Sequence, residues 1–205
     1  YVDEVCPLIE KRIGDTASDI SRICYHGAGH GFTLSQADTF SDPQEWTFEN
    51  FVSEPLKKCD RLVTVEEGNE LQNCYTGVFA VVYGWIAAGE YGIFHDSGIP
   101  FAYCDEYFVE LKQEACYAEA SQIFDIDMDK FTVAKYLTLA QTGERKDLLP
   151  RAVMSSLAGV IQGNPDGLTA EVVEECRLSL GGFENGEEIC ILGFSRGLIA
   201  HGLPG

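Results

Sequence analysis

The sequence predicts an all-α fold, an α-solenoid-like array of about five helical hairpins stapled internally by disulfides. Two observations carry that expectation. Eight cysteines fall into consecutive pairs along the 205-residue chain, and the residues after the second member of each pair repeat a glycine pattern. Turn-forming breakers between the segments agree with it.

The pairs are Cys6 with Cys24, Cys59 with Cys74, Cys104 with Cys116 and Cys176 with Cys190, separated by 18, 15, 12 and 14 positions. None has the short C-x-x-C spacing of a zinc or redox centre, so each pair reads as a disulfide. The second cysteines open the strings Cys24-Tyr-His-Gly-Ala-Gly-His-Gly, Cys74-Tyr-Thr-Gly, Cys116-Tyr-Ala-Glu and Cys190-Ile-Leu-Gly-Phe-Ser-Arg-Gly. Their shared core is Cys-(Tyr)-x-Gly-x-x-x-Gly. A fifth copy without a staple fits Ala152-Val-Met-Ser-Ser-Leu-Ala-Gly if Ala152 takes the cysteine position. The copies then recur at about forty residues, the period of two-helix repeats. Residues 1–205 read as one disulfide-stapled repeat domain.

Helices rather than strands suit the spacing of small and apolar residues. In Asp15 to Phe32, Ile20, Ile23, Cys24, Gly27 and Gly31 recur at three or four positions and are expected to form a buried face; Leu149 to Ile161 has the same period. Breakers separate the segments at Ser41-Asp-Pro, Glu66-Glu-Gly, Ser97-Gly-Ile-Pro, Thr142-Gly, Gly163-Asn-Pro-Asp-Gly and Gly181-Gly. Thr169 ahead of Ala-Glu-Val-Val-Glu-Glu reads as an N-cap with acidic residues in the first turn. A disulfide closing a loop of this size stabilises by about 3 kcal/mol in the chain-entropy model. Glycine inside a helix costs about 1 kcal/mol relative to alanine, so its recurrence at one place implies close approach of a neighbouring helix. Trp46, Phe48, Phe51, Trp85, Tyr103, Tyr107 and Phe108 read as core.

This plan resembles the cysteine-rich Sel1-like repeat proteins, secreted helical-hairpin arrays with one disulfide per unit that act in recognition. The resemblance implies an interaction role. It is one of architecture: in those proteins the cysteines lie closer together and an Ala/Gly/Tyr consensus absent here is present, so no functional residue is carried over.

Fourteen Lys and Arg stand against 33 Asp and Glu, a formal charge of −19, which repels phosphate backbones and anionic lipid. Nucleic acid and membrane surfaces are therefore excluded as expected partners, and a neutral or cationic protein is favoured, with oligomerisation or membership of a larger assembly. No apolar run reaches the roughly 20 residues of a membrane span. The disulfides place the chain outside the reducing cytosol, as a secreted, periplasmic or cell-surface protein.

The candidate chemistry is sparse. His26 and His30 stand four residues apart, share one face of a helix, and could present two imidazoles to a transition metal or haem-type centre. Further ligands would be required, and the remaining histidines are His95 and His201. No His-Glu-x-x-His string supplies a zincin base. Gly193-Phe-Ser195-Arg-Gly197 matches the G-x-S-x-G elbow and is similar to the Gly-Phe-Ser-Arg-Gly of some α/β-hydrolases, which implies a hydrolase with Ser195 as nucleophile. That fold needs an acid and then a histidine after the serine. Only eight residues follow Gly197, with His201 among them and no Asp or Glu. Asp125-Ile-Asp127-Met-Asp129 alternates carboxylates as a calcium loop does, but Lys130 and Tyr136 replace the required glycine and glutamate. The leading expectation is a non-catalytic interaction or assembly scaffold, with a metal or haem-binding protein as the first alternative and the Ser195 hydrolase as the second.

Overall fold

The computed structural model describes residues 18–62, 69–93, 101–107, 109–120, 165–183 and 185–202, with Val5, Cys6, Leu8, Arg12, Arg145, Asp147, Leu148, Val153, Met154, Leu157, Ala158 and Ile161 as single positions. Among these the regular structure is helical, and no strand occurs. The α-helices are α1 (Ser18–Ala37), α2 (Phe48–Asp60), α3 (Asn69–Ala88), α4 (Ala102–Asp105), α5 (Glu110–Ala120), α6 (Ala170–Leu180) and α7 (Gly186–His201). The chain divides into two compact units, Tyr1–Phe94 with Tyr107–Cys116, and His95–Glu106 with Tyr117–Gly205.

In the first unit the turn after α1 is built by local polar chemistry. Asp42 accepts a hydrogen bond from the Gln44 amide at 2.9 Å, while its own amide donates to Glu45 at 3.4 Å, a reciprocal cap around a 3-10 turn with Pro43 in first position. Thr47 then caps α2 by accepting from the Asn50 amide at 3.2 Å. Phe48, Phe51, Val52, Leu56 and Cys59 form the buried stripe of α2, and Lys57 and Lys58 sit in its last turn, where the helix dipole favours cations. That stripe packs on α3, which also receives α1. Phe51, Trp85 and Tyr91 meet with ring centroids 4.7 to 5.1 Å apart. Phe48 and Phe51 are buried, and Trp46, Trp85, Tyr103 and Tyr107 are partly so, in line with their reading as core; Phe108 lies outside the described residues.

The staples follow the sequence pairing. Cys6–Cys24, Cys59–Cys74 and Cys176–Cys190 are disulfides with Cα atoms 5.7, 5.8 and 6.0 Å apart. Cys104 and Cys116 are disulfide-bonded as well, which completes the four and leaves no thiol free. Cys24, Cys74 and Cys190 each sit within the first two turns of α1, α3 and α7, so the staple ties a hairpin near its turn. Four disulfides indicate an oxidising environment.

The face that α1 buries differs from the expected one. Ile23 is 64 % exposed, and Gly27 and Gly31 face open space; the buried residues are Tyr25, Gly29 and Thr33. The reason is a backbone-to-backbone crossing with α3. A Cβ on Gly29 would overlap the Cys74 carbonyl oxygen and lie 2.8 Å from the Val78 amide nitrogen, and one on Gly77 would overlap the His26 carbonyl. Spacing alone could not say which of three alternating glycines lies under the neighbour.

In the second unit Thr169 caps α6, its hydroxyl accepting from the Val172 amide at 3.3 Å. The chain reverses through Gly181 and Gly182 and enters α7 at Asn185, whose φ of 58° is left-handed. Gly186 allows the turn to close: a Cβ there would overlap the Leu180 carbonyl. Val153, Met154, Leu157, Ala158 and Ile161 are helical, with Val153, Leu157 and Ile161 buried, as the period of Leu149 to Ile161 implies. Gly193 and Gly197 of α7 press on this segment: a Cβ at each would lie 2.9 Å from the Leu157 Cβ and 2.6 Å from the Ile161 Cβ. Ala152 itself lies outside the described residues.

Candidate functional site

Because α1 is helical throughout, residues four apart stack on one side of it, and the His26 and His30 rings meet with centroids 4.6 Å apart. The Thr76 hydroxyl donates to the Asn73 carbonyl at 2.8 Å, so in its 3.1 Å contact with His26 Nδ1 that hydroxyl accepts. His26 therefore carries its proton on Nδ1, and in the neutral ring Nε2 is the basic nitrogen. His30 Nε2 is buried without a hydrogen-bond partner among the described residues, and burial holds this imidazole below its usual pKa. The His30 ring is thus held neutral beside that of His26, a state suited to ligation. The two rings make half of a tetrahedral set. No group of three or more His, Cys, Asp or Glu able to hold a metal occurs among the described residues. His95 and the Asp125, Asp127 and Asp129 string lie outside those residues, as does the side chain of His201.

Ser195 lies in the interior of α7 rather than on a strand-to-helix turn, and its flanking glycines serve the contact with Leu157 and Ile161. The geometry of a nucleophile elbow is absent at this serine.

A further side of α1 is turned outward. Ile23, Gly27, Gly31 and Leu34 fall within one quadrant of the helix; Ile23 and Leu34 are 64 % and 51 % exposed, and nothing among the described residues approaches within 4 Å of where a Cβ on either glycine would sit. From Ile23 to Ala37 the helix contains no Asp, Glu, Lys or Arg, in a chain of charge −19. On α7, away from Gly193 and Gly197, Leu192 is 42 % and Ile199 61 % exposed, with Ser195 and Arg196 between them along the helix.

One arrangement escaped the sequence reading. Tyr75 donates its phenol proton to Asp60, and Tyr117 does the same to Asp105. Each pair stands one residue beyond a disulfide: Cys59-Asp60 with Cys74-Tyr75, and Cys104-Asp105 with Cys116-Tyr117. An Asp follows Cys59 and Cys104, but Pro7 and Arg177 follow the other first cysteines, so the sequence carries only a partial signal for the pair. At the first pair Lys112 Nζ closes the network, 2.8 Å from Asp60 Oδ2 and 5.2 Å above the Tyr75 ring. Burial, and then the Asp60 carboxylate, pushes the Tyr75 phenol well above its ordinary pKa. This is a second, non-covalent tie beside the staple.

No family model, no curated protein and no solved structure matches the chain. No helix among the described residues is long and apolar enough to cross a membrane.

Proposed function

We propose that the chain is an extracytoplasmic scaffold for protein interaction or assembly, a non-catalytic subunit whose protein partner docks on the outward side of α1. The observation that carries this reading is the bare, uncharged quadrant of Ile23, Gly27, Gly31 and Leu34. Two interior glycines cost a helix about 2 kcal/mol together relative to alanine. Gly29 and Gly77 offset that cost by admitting a neighbouring backbone, and Gly27 and Gly31 have no such neighbour among the described residues. A partner helix laid there would bury Ile23 and Leu34 and reach the backbone without stripping water from any charge. Stapled hairpins suit the role, since they present a rigid surface. The test is the size of the natively isolated protein under mild conditions. It should travel in a complex larger than its own 22.6 kDa. Ile23→Glu with Leu34→Glu should release it with an unchanged melting temperature. A wild-type chain that runs alone, or a variant that stays in the complex, overturns this docking face.

A second reading, a transition-metal or haem-type protein, draws support from the basic Nε2 of His26 and the unpartnered Nε2 of His30. It predicts metal or a visible absorption band in the natively purified protein, lost when both histidines become alanine. Metal content unchanged in that double variant contradicts the site.

A further inference from the structure

Two junctions between hairpins, α3 on α1 and α7 on the segment of Val153 to Ile161, share one packing rule, and α1 and α7 each leave half of it unused. Counting from the second cysteine of a hairpin, the glycine three positions on faces the second helix of the preceding hairpin at the residue two positions after its own cysteine. Gly77, three after Cys74, sits on the carbonyl of His26, two after Cys24. Gly193, three after Cys190, sits 3.1 Å by its would-be Cβ from the carbonyl of Met154, two after the cysteine-equivalent Ala152. In α7 the glycine seven positions on, Gly197, lies against Ala158 and Ile161; α3 has Val81 at that place.

Gly27 and Gly31 hold these same two positions after Cys24, and both are open. Leu192 and Ile199 of α7 hold the positions of Met154 and Ile161, and both are exposed. So α1 displays the glycine socket of the rule, and α7 displays Leu192 and Ile199 at two of the positions that fill such a socket one hairpin earlier, with Ser195 and Arg196 standing at those of Leu157 and Ala158.

Resting on the scaffold reading above, we infer that the partner of α1 is a second copy of this chain, docked by its α7 so that Gly27 lies over the Leu192 backbone and Gly31 against Ile199. The interface continues one that the chain already forms within itself. It is heterologous, socket to ridge, so a pair joined by one such contact still offers one socket and one ridge to further copies. Each copy carries −19, and the repulsion is screened by salt while the apolar contact is not, so association strengthens as salt is added. A cationic partner would show the opposite dependence.

Sedimentation velocity on the purified chain tests this, run from micromolar to millimolar at low and high salt. The wild type should form a concentration-dependent series of species. A socket-blocked variant, Gly27→Leu with Gly31→Leu, and a ridge-blocked variant, Leu192→Asp with Ile199→Asp, should each be monomeric, at least about tenfold weaker in association. Mixed together they should form a one-to-one dimer that does not grow, because one socket and one ridge remain between them. Melting temperatures no lower than wild type confirm that the variants are folded; Gly27→Ala, which fits the open space, gives a milder version of the same block. Either variant dimerising alone, or no dimer in the mixture, overturns the inference. If the wild-type chain stays monomeric at every concentration while the socket-blocked variant still leaves its native complex, the second copy is wrong and the scaffold reading stands. If the native complex also survives that variant, both fail.

Discussion

At the residue scale the glycines of α1 and α3 separate two roles that one residue type can hold. Gly29 and Gly77 are required by the crossing, since a Cβ at either meets backbone that cannot give way without moving a helix. Gly29→Ala should therefore cost about 3 kcal/mol through overpacking. Gly27→Ala meets nothing and should raise the stability of the isolated chain by about 1 kcal/mol through helix propensity alone. Urea midpoints of the two variants check both signs; a Gly27→Ala variant less stable than wild type would show an internal contact at that position. His26 and His30 were legible as a stacked pair because helical spacing alone brings them together. The buried side of α1 was not, because Gly27, Gly29 and Gly31 alternate and each is equally small, so only the neighbour decides which is covered.

At the scale of the element, a hairpin holds its helices by a disulfide and, at Cys59–Cys74, by the Tyr75 to Asp60 hydrogen bond with Lys112 beside it. This tie has a pH signature. The folded phenol titrates above the ordinary value near 10 that the unfolded chain has. Above that value the unfolded state loses its proton first, so the folded state binds more protons and stability falls as the solution becomes more alkaline. Tyr75→Phe should flatten the alkaline limb of a stability profile while lowering stability at neutral pH by about 1 kcal/mol. An unchanged limb would mean that the phenol titrates alike in both states. The cysteine spacing made the staples readable without a structure, because a local loop constrains which thiols can meet. The carboxylate partners were harder to see, since Asp60 and Asp105 are two among 33 acidic residues and only the fold brings them to a tyrosine. The Thr169 cap was readable because its signal lies within four residues of sequence.

At the scale of the whole molecule, a strongly acidic chain exposes an uncharged side of α1 and, on α7, the side chains of Leu192 and Ile199, at positions that recur in the repeat. The period of about forty residues was visible in the cysteines and glycines. What those letters could not convey is direction: α3 meets α1 on the side of Gly29, while Gly27 and Gly31 face away from it. That polarity follows from which side of the glycine stripe the backbone of the neighbour occupies. The central claim is that the outward quadrant of α1 is covered in the working protein. Amide hydrogen exchange compares it most directly, measured on the natively isolated complex and on the purified chain at a dilution that keeps copies apart. The account predicts slower exchange in the complex across the part of α1 holding Ile23, Gly27, Gly31 and Leu34, with α2 unchanged. Equal exchange of α1 in both samples would contradict it.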